Sequence, residues 1–263
     1  MSTIQLPTRE TPVKASRVGP KILVLYSLPK VGKTSVLTEL AQKTDCLILD
    51  TEGGTKTYDT VAVDIRSAQG IKDVVDSIKA EGSKRYAAGM RGDGVFPYKF
   101  LALDTLDKFE DFAEVAATEA YKAGPFNKMG KGDFDTKYTT ILELPNGAGY
   151  YYLRSQVMDT ISLLAGVCQY LILVVHVKEK ILLDKNNMEV KVNDISLTGK
   201  LASMVCAEAD GIGYMYRSKN ELRISFQTYD GAIMGARQAY LAGKDMPFAW
   251  ETLYPDVFPV KAI

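Results

Sequence analysis

The chain has 263 residues, 46% hydrophobic and 24% charged, the composition of a soluble globular protein with room for one large α/β domain or two small ones. Its 32 basic and 32 acidic side chains cancel, so any nucleic-acid contact must come from a local patch rather than a global field. Cys46, Cys168 and Cys206 read as small core residues of a reducing compartment, no apolar run is long enough to span a bilayer, and no N-terminal signal pattern is present, so the cytoplasm is the expected location.

Met1 to Pro20 carries three prolines and scattered charge with little periodicity, and reads as a flexible arm. From residue 21 to 263 no internal repeat or domain boundary is visible. Lys21 to Tyr26 is a short apolar strand. It runs into Ser27-Leu28-Pro29-Lys30-Val31-Gly32-Lys33-Thr34-Ser35, after which Val36, Leu37 and Leu40 follow at helical spacing. Strand, tight loop and helix start are the setting of a phosphate loop. The loop from Pro29 to Ser35 would cradle a triphosphate at the helix N-terminus, with the backbone N–H groups of Lys30, Val31, Gly32, Lys33, Thr34 and Ser35 as donors. Lys33 would reach the β- and γ-phosphates, and Thr34 would hold Mg²⁺. Ser27 stands where the pattern has its first glycine.

Asp45 to Asp50 is a second buried strand, and Val61 to Ile65 a third, shorter one. Ile71, Val74, Val75 and Ile78 line one face of a helix over Gln69 to Ala80. Tyr98 to Asp104 is a strand ending in an acid, followed by a helix through Phe109, Phe112, Val115 and Ala116. Asp104 fits the second metal-holding acid of a phosphate-loop protein, the alternative being a helix N-cap. Thr105 follows it, so the adjacent Asp-Glu pair of many ATPases is missing and the group that activates water must come from elsewhere. Glu52, two residues past the second strand and followed by Gly53-Gly54, is the candidate, with Asp50 competing.

Ala123 to Gly149 breaks the rhythm with glycines, two prolines and several lysines, and reads as a long loop. A helix over Tyr150 to Val167 and an apolar strand over Gln169 to Val175 follow. His176, the single histidine, ends that strand at the sheet edge where ligands bind. Lys180 to Val192 reads as a hairpin turning at Asn186-Asn187, and Gly211 to Tyr216 and Leu222 to Gln227 as further strands. Strands alternating with helices predict an α/β fold, a mainly parallel twisted sheet flanked by helices with an antiparallel C-terminal edge.

Taken together these residues resemble the RecA/RadA-type recombinase core, most closely its compact bacteriophage members, the RecA-like ATP-binding single-strand-annealing proteins. The resemblance spans Lys21 to Gly243. It implies a P-loop ATPase of RecA type whose catalytic glutamate falls on Glu52 in Asp50-Thr51-Glu52-Gly53-Gly54, whose metal-holding strand ends in Asp104-Thr105, and whose nucleotide sensor is His176. It also implies ATP and Mg²⁺ as ligands, single-stranded DNA as partner, and a homo-oligomeric ring or filament with ATP between subunits. Arg237, or else Lys244, would reach a neighbour's triphosphate, and the N-terminal arm would dock on the adjacent subunit. A phage-encoded protein would act in the bacterial host.

Two slots hold DNA-binding loops in that family, here Ala123 to Gly149 and Val177 to Leu197. Around the first, from Tyr121 to Tyr138, Lys122, Lys128, Lys131 and Lys137 outnumber Asp133 and Asp135, and Phe126, Phe134 and Tyr138 are interleaved among them. Lys128, Lys131, Phe126 and Phe134 are the candidate DNA contacts; the alternative is a solvated loop whose aromatics pack locally. The function so implied is annealing or strand exchange in phage recombination. Its rivals are a nucleotide-gated module that engages a replication or packaging partner, and a small-molecule kinase, which no arginine-rich lid supports.

Overall fold

The structure, a computed structural model, describes residues 18–125, 127, 131–183, 189–228 and 233–258. Its elements in chain order are β1 (Ile22–Ser27), α1 (Lys33–Lys43), β2 (Cys46–Asp50), β3 (Ala62–Asp64), α2 (Ala68–Ala87), β4 (Phe100–Asp104), α3 (Leu106–Ala123), α4 (Lys131–Lys137) and α5 (Gly149–Ala165). Then come β5 (Tyr170–Leu183), β6 (Glu189–Ile195), α6 (Leu201–Glu208), β7 (Gly211–Ser218), β8 (Glu221–Ser225), β9 (Gly235–Ala236), β10 (Asp245–Pro247) and α7 (Trp250–Leu253).

The strands lie in the order β10-β8-β7-β1-β5-β4-β2-β3. From β7 to β3 every pairing is parallel, while β8, β9 and β10 add antiparallel neighbours on the C-terminal side. The sheet is covered on both faces, which is why its central strands read as unbroken apolar runs. In β1, Ile22, Val24 and Tyr26 face one core with α2, α3, α5 and α6, whereas Leu23 and Leu25 face the other with α1 and α7. The fold is α/β, a mostly parallel sheet flanked by helices with antiparallel edge strands, as the sequence pattern predicts.

Three sequence expectations need correction. Gly19 and Pro20 are buried, and a side chain on Gly19 would run into the Tyr254 ring, so the body begins before Lys21. Residues 1–17 of the predicted arm lie outside the described residues. The segment 123–149 is not one long loop: it contains α4 and two short 3₁₀ turns, Ile141–Glu143 and Pro145–Gly147. These are held by a small satellite core of Ala117, Phe134, Ile141 and Leu144, with Tyr121, Tyr138 and Tyr152 packed against it. Finally, β5 continues past His176 and pairs with β6 as an antiparallel ribbon beginning at Val177↔Ile195. The predicted turn of that ribbon at Asn186-Asn187 lies outside the described residues.

Candidate nucleotide site

Parallel pairing sets the ends of four neighbouring strands at one edge. Ser27 stands opposite His176, and Asp50 opposite Asp104, with β5 between β1 and β4. The carboxyl ends of parallel strands form the natural ligand crevice of such a sheet. Here they open into a cleft of about 340 Å³ whose walls include Lys33, Thr34, Glu52, Tyr58, Asp104 and His176.

The phosphate loop leaves β1 at Ser27, which is fully buried and donates its hydroxyl to the Leu28 carbonyl at 2.9 Å. Ser27 is an ordinary strand residue; the left-handed positions of the loop fall at Lys30 (φ 65°) and Gly32 (φ 125°). A side chain is therefore tolerated at 27, and the glycine requirement sits at 32. Gly32 caps α1 without a side-chain bond, and no acid occupies the first turn, which leaves the leading amides free for an anion. Lys33 is 7% exposed and points back to the Leu28 carbonyl at 3.4 Å. Its burial holds the pKa below that of a free lysine, against the opposing pull of Asp104 and Glu52.

Next to Lys33, Thr34 Oγ1 donates to Asp104 Oδ2 at 2.8 Å. Burial pushes the Asp104 carboxyl up to about 6, Thr34 works against the shift, and the charges of Asp50 and Glu52 add to it. A hydroxyl beside a carboxylate is an oxygen-only donor set, the chemistry that suits Mg²⁺, so the residues present fit the ion.

The turn after β2 is built around Asp50. Its Oδ1 accepts the amides of Glu52, Gly53 and Gly54 at 3.0, 2.6 and 3.2 Å, while Oδ2 accepts the Thr55 amide at 2.9 Å and hydroxyl at 2.6 Å. Burial opposes its charge, but the bonds from Thr55, Gly53 and Glu52 prevail and hold its pKa below the usual carboxylate value. Both oxygens are engaged, so Asp50 shapes the turn and leaves Glu52 as the carboxylate open to the cleft. Thr51 ties that turn to β4: its hydroxyl donates to the carbonyls of Asp104 and Thr105 and accepts the Thr105 amide at 2.7 Å.

Glu52 itself lines the cleft beside Thr105 and His176. Its Oε1 accepts the Thr105 hydroxyl at 3.1 Å and lies 3.7 Å from His176 Nδ1. His176 is clamped by Asp107 in the first turn of α3: the backbone amide bonds Oδ1 at 3.1 Å and Nδ1 bonds Oδ2 at 2.8 Å. The bond to Asp107 raises the His176 pKa despite some burial, and His176 in return keeps Asp107 below the usual range against its own burial. One carbonyl further, His176 O accepts the Ser196 amide at 2.9 Å, which roots the returning strand of the β5–β6 ribbon beside the cleft.

Comparison with known proteins agrees with this geometry, for the profile of the AAA domain matches residues 20–249. The chain belongs to the AAA domain family. It is a nucleotide-binding P-loop ATPase domain. No curated relative matches it. Among solved structures, a KaiC-like protein from the hyperthermophilic archaeon Pyrococcus horikoshii OT3 is similar over 92% of this chain and 98% of that chain, at 10% identity and a TM-score of 0.44. Among the described residues of this ATPase, no helix is long and apolar enough to cross a membrane.

The structure thus brings Pro29, Lys30, Gly32, Lys33, Thr34, Ser35, Glu52, Asp104 and His176 to one cleft. Arg237 is elsewhere. It pairs with Asp210 at 2.8 Å, and Asp210 also accepts the Lys21 amide at 2.8 Å, so Arg237 sits at the end of β1 opposite the ATPase's own phosphate loop. Phe134 is corrected as a DNA contact: it is fully buried in the satellite core, with Tyr138 and Tyr121 against its ring. Lys122, beside it, is paired with Asp135 at 2.7 Å and Glu119 at 3.0 Å. Phe126, Lys128 and the side chain of Lys131 lie outside the described residues. Sequence reasoning missed Asp107, Thr51 and Tyr58, whose hydroxyl is 3.0 Å from Ser35 Oγ at the cleft mouth. For Asp107 a signal existed, since an acid three residues after Asp104 falls on the first turn of the following helix.

Proposed function

We propose that this ATPase hydrolyses ATP in the cleft and uses the cycle to assemble on single-stranded DNA, promoting annealing or strand exchange in recombination of the bacteriophage kind. The observation that carries the hydrolytic part is the convergence of Glu52 and Asp104 through Thr105: Glu52 Oε1 is 3.1 Å from the Thr105 hydroxyl, and the neighbouring Asp104 carboxylate is 2.8 Å from Thr34. Lys33 and the amides of Gly32 to Ser35 bind and orient the triphosphate. Mg²⁺ held by Thr34 and Asp104 would neutralise charge on the β- and γ-phosphates. Glu52 orients a water toward the γ-phosphate and takes its proton. His176, fixed by Asp107, reads whether the γ-phosphate is there and passes that state to the β5–β6 ribbon through its backbone. Arg237 is 62% exposed and far from its own loop, which suits a contact to the triphosphate of a neighbouring copy.

The measurement that tests this reading is the ATPase rate with and without single-stranded DNA across a salt series. Stimulation by DNA and binding that weakens with salt are expected. A rate indifferent to DNA, with no salt-dependent binding, rejects the recombination reading. The buried Phe134 and the neutralised Lys122 favour a second reading in that event, a nucleotide-gated module that engages a protein partner in replication or packaging.

A further inference from the structure

The strand β7 runs parallel to β1, with Tyr214 opposite Tyr26. Continuing that register past the end of β1 sets Arg217 beside the phosphate loop, although 186 residues separate them. Its side chain lies on the face shared with Met215, the face covered by α1. There the Arg217 Nε donates to the carbonyl of Val31 at 3.0 Å. Its Nη2 is 3.5 Å from the place a Cβ on Gly32 would occupy. Among the described residues no carboxylate pairs with it, and its remaining guanidinium donors have no hydrogen-bond partner.

This is an awkward place for a free positive charge. The N-terminus of α1 already carries a positive partial charge, and Lys33 lies one residue past Gly32. A cation added there is repelled until an anion arrives. The bond to Val31 also turns a loop carbonyl outward, toward β7, so that the loop's amides are left to face the cleft. We infer that Arg217 is a positioning and affinity residue of the nucleotide site, holding the Val31–Gly32 segment of the phosphate loop and adding positive charge for a polyanionic nucleotide. This rests on the reading of the cleft as an ATP site. It also makes the β7–β8 hairpin, whose tip is Lys219-Asn220, a neighbour of the phosphates.

The test compares Arg217→Ala and Arg217→Lys with the unaltered chain and with Lys33→Ala, using displacement of a fluorescent ATP analogue by ATP and by AMP, and steady-state turnover. Arg217→Ala is expected to weaken ATP about tenfold and raise KM in proportion, with kcat within about twofold. AMP, with fewer charges, should lose less. The loss should shrink as salt rises, and Arg217→Lys should recover most of it. Unchanged ATP affinity in Arg217→Ala overturns the inference. So does an equal loss for alanine and lysine that ignores salt and phosphate number, because Arg217 would then add no charge for the nucleotide. If the unaltered chain binds no ATP, or Lys33→Ala binds it equally well, the ATP reading of the cleft fails, and this inference with it.

Discussion

Replacing Asp50 by Asn separates the scaffold of the site from its chemistry. The carboxylate is 2% exposed and accepts five hydrogen bonds, three on Oδ1 and two on Oδ2. An amide keeps one oxygen. If that oxygen faces Glu52, Gly53 and Gly54, the new NH₂ meets Thr55, whose hydroxyl can rotate to accept but whose amide cannot. One buried N–H is then unsatisfied, costing about 1–3 kcal/mol, and three charge-assisted bonds become neutral ones, each weaker by roughly 1 kcal/mol or less. The expected loss is about 2–4 kcal/mol, or roughly 5–15 °C in Tm for a chain of this size. Because the turn carries Glu52, turnover should fall as well. The pH dependence has a sign. The folded pKa of Asp50 is depressed, so its stabilisation is present above the unfolded value of about 3.9 and lost as pH falls through the folded one. Urea denaturation of both proteins at neutral pH and in acid, without nucleotide, checks this. A loss below about 0.5 kcal/mol at neutral pH, or one that does not shrink in acid, would refute Asp50 as the keystone of the turn.

Glu52→Gln keeps the acceptor for Thr105 but removes the base, so ATP should remain bound while phosphate release slows about 10²–10⁴-fold with stability unchanged; unchanged turnover rejects Glu52. Lys33→Ala should abolish ATP binding or turnover in calorimetry and phosphate-release assays. The His176–Asp107 pair stabilises most while His176 is charged and Asp107 ionised. His176 has a raised pKa, so its share is full below about 6.5 and is lost as pH rises through the folded value; the Asp107 share is present above about 3.9 and is lost in acid. Asp107→Asn should therefore cost more at pH 5 than at pH 9 in denaturant titrations, and an equal cost at both would show that charge is irrelevant. Phe134→Ala should destabilise by about 3–5 kcal/mol in the same titrations, since the ring is fully buried, whereas a base-stacking residue on the surface would cost almost nothing.

The parts of the site that could be read in the sequence are those whose chemistry is enforced locally. Gly32-Lys33-Thr34 after an apolar strand, an acid at the end of Phe100 to Asp104, and His176 directly after the apolar run Leu171 to Val175 are each set by their own neighbours, and parallel pairing then gathers these positions at one edge. What was not legible depends on pairings between distant segments. Asp107 acquires its role from a histidine 69 residues away, and Arg217 from a loop 186 residues away. The segment around Phe134 failed for another reason. Lysine, glycine and aromatics in alternation describe a stacking surface and a satellite core equally well, and only burial distinguishes them.

The cleft also explains why nucleotide and cation should bind interdependently. Its acids are Asp104 and Glu52; its positive groups are Lys33, the N-terminus of α1 and, behind the loop, Arg217. Burial disfavours the charged form of both Lys33 and Asp104, and each only partly relieves the other. A triphosphate entering alone gains Lys33 but faces the acids. A divalent cation entering alone gains Asp104 but faces the lysine. Entering together, each supplies counter-charge to the groups that repel the other. Linkage then requires that magnesium tighten ATP by the same factor that ATP tightens magnesium. Asp104→Asn should lower both that factor and the affinity for magnesium–ATP while leaving the weak binding of metal-free ATP intact or stronger, because it removes repulsion together with the ligand. Titrations of ATP with magnesium and with a chelator decide it: equal losses under the two conditions would mean that Asp104 shapes the cleft and does not couple nucleotide to cation.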